Sequence, residues 1–133
     1  MQALKPAADL LAKNGITLRY TDFEKTLEPI KKKIARQEGG SHADEVETSI
    51  LLYISAKSVD MKKAVKDYRE RKGFPTRDPK NTVRTYLPSG VYGDATLASR
   101  EKGKQFAVAL TEGILRDIEE LRHAPLPEKA QNR

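Results

Sequence analysis

The fold class follows from residues 14–20, which read NGITLRY. From Ile16 to Tyr20, apolar and polar side chains alternate and β-branched and aromatic residues are frequent, a pattern that predicts a β-strand. Before this stretch, residues 4–11 carry apolar side chains at helical spacing, and Gly15 can adopt the left-handed conformation that ends a helix. A helix, a short turn and a strand form half of an α/β unit. The chain is therefore predicted to be an α/β protein.

Three further helices are predicted downstream of this unit. The first begins at a capping box formed by Thr21 and Glu24, and Pro29 is expected to kink or divide it. The second begins with Ser41 as its N-cap. The last runs from about Ser99 to Arg122 and has the clearest amphipathic pattern in the chain. The second helix is the most apolar of the three, and its predicted buried face consists of Val46, Ile50 and Ile54.

The segment between the last two helices has weaker signals. Residues 61–71 have only a thin apolar stripe, so a helix there is an open alternative. Residues 72–93 contain three residue–proline pairs and are expected to form a long ordered loop. Within that loop, residues 83–87 are extended in character.

The predicted strands are too few to complete a sheet. Four or five helices accompany one convincing strand, and two further stretches are weaker candidates. A lone strand leaves backbone groups unpaired, and parallel strands need covered neighbours, so the chain is expected to be part of a larger sheet. We therefore predict a helix-rich, partial α/β fold with few parallel strands. Residues 1–123 are assigned to this domain, and residues 124–133, which contain two prolines, to a disordered tail.

The composition excludes several classes of function. The 133 residues include no cysteine, which excludes a disulfide scaffold, a thiolate metal site and a cysteine nucleophile. Two histidines exclude a histidine-rich metal site supplied by this chain alone. No apolar run is long enough to span a membrane and no signal peptide is recognisable, so a soluble cytoplasmic protein is expected.

The charge balance has two interpretations. Lys and Arg total 25 against 19 for Asp and Glu, a net charge of +6, and residues 31–33 are consecutive lysines. A basic nucleic-acid-binding helical domain is one interpretation. A solvated helix face is favoured, because no nucleic-acid-binding motif or interleaved aromatic residues accompany the charge. No nucleic acid is therefore expected as a partner.

The most informative stretch for function is residues 39–49, GGSHADEVETS. His42 lies at the mouth of the second predicted helix, and a histidine there can exchange protons near neutral pH. Glu47 follows five residues later, roughly 140° around an ideal helix. The two side chains therefore diverge unless His42 precedes the first turn, in which case both can border one cleft. Alternatively, the acids are ordinary helix-capping residues and the Gly-Gly-Ser stretch is an ordinary linker.

Two segments of the chain resemble the creatininase family of metal-dependent amidohydrolases. The first is residues 42–49, HADEVETS, preceded by the glycine pair at 39–40. The second is residues 90–98, GVYGDATLA, followed by EKG at 101–103, which is similar to the family pattern G-V-[WY]-G-D-P-T-x-A before its final helix. Their order and separation also agree with the family. The resemblance extends from about residue 7 to about residue 121.

The resemblance implies a three-layer α/β/α fold and a reaction. Family members bind two divalent metals, usually zinc or manganese, at the carboxyl edge of a parallel sheet. The metals activate a water that attacks the carbonyl carbon of a C–N bond, often in a cyclic amide. By resemblance, His42 is the proton-handling catalytic histidine and Glu47 is a carboxylate of the active-site wall. Asp94 and its neighbouring glycines are assigned to loop structure.

The chain also departs from the family. The metal ligands of the family, a Glu-x-His pair, a bridging Asp and a His-x-Glu pair, are absent, so no metal ligand is assigned and a truncated or split enzyme is expected. The absence of tryptophan disfavours creatinine as the substrate. The expected partners are a small amide substrate and either further copies of the chain or a complementary N-terminal half. The alternative is a non-catalytic remnant or an assembly subunit that packs against a partner.

Overall fold

The computed structural model describes residues 3–69, 73 and 75–128. The helices of this part are α1 (Leu4–Ala12), α2 (Phe23–Ile34), α3 (Glu45–Ser55) and α4 (Arg100–His123). Its strands are β1 (Lys66–Asp67), β2 (Pro75–Thr76), β3 (Thr85–Tyr86) and β4 (Gly93–Asp94), and short 3-10 helices lie at Ala56–Ser58, Met61–Lys63 and Ala95–Leu97. None of the described helices is long and apolar enough to cross a membrane. The chain divides into two compact units, one of residues 1–26 with 110–133 and one of residues 27–109.

In the first unit, helix α1 ends as the sequence predicts, but the predicted strand does not form. Gly15 has a φ of +75°, and the next N–H, that of Ile16, donates to the carbonyl of Leu11 at 3.1 Å. Residues 16–20 then lie in neither a helix nor a strand. The strand prediction is wrong for this structure because a strand is stabilised by a paired neighbour, and no described residue pairs with this segment.

The N-termini of α2 and α3 differ from the sequence prediction. Asp22 rather than Thr21 caps α2, since its carboxylate accepts the N–H of Lys25 at 3.1 Å. Asp44 rather than Ser41 caps α3. In both cases an aspartate close to the predicted cap is the residue that accepts the free N–H groups of the first turn. Helix α2 continues through Pro29 and is not divided.

The strands form two small pairs in the second unit. Strands β2 and β3 are parallel, with Thr76 opposite Tyr86, as expected for a parallel sheet. Strands β1 and β4 are antiparallel, with Lys66 opposite Asp94. The continuous helix considered for 61–71 is replaced by a 3-10 turn and β1, and its last two residues lie outside the described ones. The helix-rich, partial α/β prediction is confirmed, whereas residues 129–133 of the predicted tail lie outside the described part.

The apolar core of the second unit connects the starts of α3 and α4. It consists of Leu27, Val46, Leu87, Val91, Ala95 and Phe106. Helix α4 packs closely on α3 at Gly103, where an added Cβ would lie 1.8 Å from the carbonyl oxygen of Ser49. Burial of α3 is confined to its first turns, since Ile54 is 69% exposed. The predicted apolar face of this helix is therefore only partly covered.

Candidate functional site

A β-bridge brings the two motif segments together in the second unit. The backbone of His42 pairs with that of Tyr92 in antiparallel fashion. The N–H of Tyr92 donates to the carbonyl of His42 at 2.8 Å, and the N–H of Ser41 donates to the carbonyl of Tyr92 at 2.9 Å. The segments 39–49 and 90–98 are therefore direct neighbours. The backbone at Ser41 and His42 is held by hydrogen bonds to Tyr92.

The close approach of the two segments depends on Gly93. Its φ is +142°, and an added Cβ would lie 2.6 Å from the Cβ of Asp44. Side-chain hydrogen bonds tie the same region together through Gln37. Its amide group donates to Asp44 at 2.7 Å and accepts the backbone N–H groups of Glu45 at 3.1 Å and Asp94 at 3.3 Å.

His42 precedes helix α3 and presents an exposed imidazole. The helix begins at Glu45 with Asp44 as its cap, so His42 lies before the first turn of the helix. The imidazole makes no hydrogen bond or ion pair with any described residue. The ring is thus available to a bound molecule, while its backbone is held by Tyr92.

Glu47 acts on the loop that carries His42 rather than on the imidazole. Its carboxylate accepts the N–H of Ala43 at 2.5 Å. Ala43 has a φ of +47°, a conformation that costs an alanine free energy and is held here by its neighbours. The hydroxyl of Thr48 donates to the carbonyl of the same residue at 3.1 Å. Two side chains of helix α3 therefore hold the turn directly after His42, through the N–H and the carbonyl of Ala43.

Glu47 and Ala43 also line a cavity of about 350 Å³. The opposite walls of the cavity come from the 3-10 turns after α3 and from the second motif segment. The wall residues include Leu51, Val59, Met61, Ala64, Val91 and Ala95. The cavity is mostly apolar and carries the Glu47 carboxylate on its wall. His42 is not among its lining residues, so His42 and Glu47 do not share this cavity.

A buried ion pair beneath the site was missed by the sequence analysis. The Glu45 side chain is fully buried, and one of its oxygens contacts the ammonium of Lys102. Its other oxygen accepts the N–H groups of Arg36 and Gln37, each at 2.8 Å. Lys102 belongs to the EKG stretch of the second motif, which was the only available signal. No local pattern relates it to an acid 57 residues earlier.

Asp94 has the loop role that the sequence assigns to it. Its carboxylate accepts the N–H of Thr96 at 3.1 Å and so caps the 3-10 turn that follows β4. Asp44 has the same kind of role at α3, where one carboxylate oxygen accepts the N–H groups of Val46 at 2.9 Å and Glu47 at 3.0 Å. Both carboxylates are therefore engaged in helix capping.

The described residues do not fit a metal centre. Across residues 3–69, 73 and 75–128, no group of three or more His, Asp or Glu side chains is arranged to hold a metal ion. The acids nearest to His42 are Asp44, Glu45 and Glu47, and each already accepts backbone N–H groups.

Comparison with known proteins identifies the family. The family model for creatininase, described as creatinine amidohydrolase, matches residues 1–118. This chain belongs to the creatininase family. Both motif segments and the bridge between His42 and Tyr92 lie inside the matched range.

A solved creatininase has a similar structure. It is a tryptophan-to-phenylalanine mutant of a type II creatininase, with 26% sequence identity and a TM-score of 0.52. The match covers 92% of this chain and 50% of the creatininase, so this chain spans about half the length of that protein. No curated protein sequence matches the chain.

Proposed function

We propose that this chain contributes the proton-handling part of a creatininase-type amidohydrolase site that hydrolyses a C–N bond of a small, cyclic amide. The observation that carries the proposal is the state of His42. Its backbone is fixed by Tyr92, and its imidazole is exposed and unpartnered among the described residues. A histidine held in place with a free ring is suited to deliver a proton at a defined position.

In the proposed reaction, His42 is the general acid. Water adds to the carbonyl carbon of the amide, the C–N bond breaks, and the leaving nitrogen takes a proton from the His42 imidazolium. For a cyclic amide the product is one ring-opened molecule that carries both the carboxylic acid and the amine, and His42 recovers its proton from the attacking water. Glu47 is a positioning residue in this scheme, because it holds the N–H of Ala43 and thereby the turn after His42.

The family resemblance implies zinc or manganese, whose contribution when bound is a nucleophilic water and a polarised carbonyl. The described residues of this chain do not fit such a centre. We therefore derive no metal step from this chain. The proposal assigns its residues proton transfer and positioning only, and assigns activation of the water to groups outside the described residues.

The test compares two histidine variants in the protein purified from the cells that make it, together with any chain that copurifies. Turnover is followed chromatographically as ring opening of a panel of cyclic amides that includes creatinine. The variant His42→Asn is expected to lower kcat by about 10² to 10⁴, the usual contribution of a general acid. His123→Asn is the matched control, because that ring lies on the last turn of α4, where Nδ1 contacts the carbonyl of Glu119 at 2.8 Å.

Two further measurements make the result specific to proton transfer. The alkaline limb of the pH–rate profile, along which a general acid loses its proton, should change in His42→Asn and stay in His123→Asn, while the circular dichroism spectrum is unchanged in both. Glu47→Gln should lower kcat less than His42→Asn does, since its role is to position the turn. Equal turnover of wild type and His42→Asn would remove His42 from the mechanism.

The second candidate function is a non-catalytic assembly subunit. It is favoured by the exposed apolar side chains of the first unit, among them Leu10 at 63% and Leu115 at 56% exposed. Under this function, no amide of the panel is hydrolysed in a manner that depends on His42.

A further inference from the structure

His42 lies in a loop of residues 38–43, called the His42 loop below, between helices α2 and α3. Two consecutive glycines, Gly39 and Gly40, give this backbone wide conformational freedom. The loop ends at Ala43, whose φ of +47° costs an alanine free energy. A loop of this composition depends on contacts outside it to keep His42 in one position.

The side chain of Gln37 joins the two ends of the His42 loop. Its amide nitrogen donates to the carboxylate of Asp44 at 2.7 Å, and its amide oxygen accepts the backbone N–H of Glu45 at 3.1 Å. In the opposite direction, the backbone N–H of Gln37 donates to the Glu45 carboxylate at 2.8 Å. The residue directly before the loop is therefore bonded three times to the two residues directly after it.

The same amide oxygen also contacts the second motif segment. It accepts the backbone N–H of Asp94 at 3.3 Å, and an added Cβ at Gly93 would lie 2.9 Å from it. Tyr92, in the same segment, is the partner of the His42 backbone. Gln37 and Tyr92 thus attach the two ends of this region to the second motif segment at separate points.

The three side-chain bonds require an amide at position 37. The Asp44 carboxylate only accepts hydrogen bonds, whereas the N–H groups of Glu45 and Asp94 only donate, so their common partner must do both. Asp44 and Glu45 are buried, at 2% and 0% exposed. A carboxylate at position 37 would face Asp44 with like charge, and an apolar side chain would leave buried polar groups without this partner.

We infer that Gln37 is a positioning residue of the proposed reaction, which holds the His42 loop so that the imidazole meets the leaving nitrogen of the amide. The inference rests on the proposed role of His42 and adds a residue that acts through it. A displacement of about 1 Å at a reacting group can lower a rate by about 10². Gln37→Leu is therefore expected to lower kcat by about 10 to 10², with KM nearly unchanged.

A double-variant cycle shows whether Gln37 acts through His42. In the protein that carries both Gln37→Leu and His42→Asn, kcat should equal that of His42→Asn alone, because a loop without its imidazole has nothing to position. A purely structural role of Gln37 would lower kcat by the same factor with and without His42. Gln105→Leu is the matched control, because Gln105 is exposed on α4.

Amide hydrogen exchange tests the positioning independently of turnover. The N–H groups of Ser41 and His42 both donate to the carbonyl of Tyr92, at 2.9 and 3.3 Å, and are protected while the His42 loop is held. Their exchange should be at least about tenfold faster in Gln37→Leu and unchanged in Gln105→Leu.

Gln37→Glu is the second variant, because it has nearly the same size and keeps an oxygen for the N–H groups of Glu45 and Asp94. It loses the donation to Asp44 and should resemble Gln37→Leu in kcat and in exchange, while circular dichroism shows that the helices are retained. Wild-type kcat in both Gln37 variants, or wild-type exchange at positions 41 and 42, would overturn the inference.

Equal factors on kcat with and without His42 would likewise overturn the positioning role of Gln37 while leaving the proposed function in place. Equal turnover of wild type and His42→Asn would instead overturn the proposed function, and this inference with it. The two failures are therefore read from different comparisons within the same cycle.

Discussion

At the scale of single residues, Gly93 allows the two motif segments to meet. An alanine Cβ there would lie 2.6 Å from the Cβ of Asp44, and the backbone has a φ of +142°. Gly93→Ala is expected to reduce the free energy of unfolding by roughly 2–4 kcal/mol, measured by urea denaturation. Gly39→Ala is the control, because an added Cβ there meets nothing within 4 Å. Similar losses in both variants would show that Gly93 has no special role.

Lys102 is a second residue whose replacement has a definite expected result. Its ammonium contacts the fully buried Glu45 and the carbonyl of Leu97, the latter at 2.9 Å. Lys102→Met leaves a buried carboxylate without its counter-ion, which should lower the free energy of unfolding by about 3–5 kcal/mol. The neighbouring Lys104→Met removes an exposed charge and should change it by less than about 0.5 kcal/mol. The comparison is made by urea unfolding, and a stable Lys102→Met protein would contradict the assigned role.

At the scale of elements, the start of α4 has a measurable pH signature. The pKa of Glu101 is lowered from its ordinary value of 4.5, first by its own backbone N–H and then by the Ser99 hydroxyl. A lowered pKa stabilises the fold above pH 4.5, and this stabilisation is lost as the pH falls through the lowered pKa. Ser99→Ala should therefore raise the pKa of Glu101, measured by NMR titration. Ser58→Ala is the control, and an unchanged pKa in Ser99→Ala would contradict this origin of the shift.

The elements also show which features a sequence can predict. Helix α4 was predicted within a residue or two because its 24 residues repeat an amphipathic pattern whose hydrogen bonds are internal. The segment 16–20 was predicted as a strand and is not one, since strand hydrogen bonds require a neighbour that local sequence cannot supply. For the candidate site, the two motifs suggested His42 and Glu47 as functional residues, and their roles stay predictions. The bridge to Tyr92 and the Glu45–Lys102 pair depend on contacts between distant parts of the chain.

At the scale of the whole molecule, the chain belongs to the creatininase family, but its described residues contain no cluster of metal ligands. The chain belongs to a family associated with divalent metals, yet it spans about half of a related creatininase. Its proposed contribution is the histidine His42, whose backbone is held by Tyr92, and the Glu47 carboxylate that holds the adjoining turn. In the proposed reaction, the described residues therefore provide proton transfer and positioning, and activation of the water is left to groups outside them.

This division predicts the metal content of the purified chain. The chain alone, dialysed against zinc or manganese, should retain no stoichiometric metal by mass spectrometry and show no tight binding by calorimetry. The physical reason is that the described residues contain no cluster of three possible ligands. His42→Asn is the control, because a single exposed imidazole binds metal only weakly and the variant should match the wild type. One equivalent bound tightly, and lost in Asp44→Asn, would mean that this chain carries a metal site of its own.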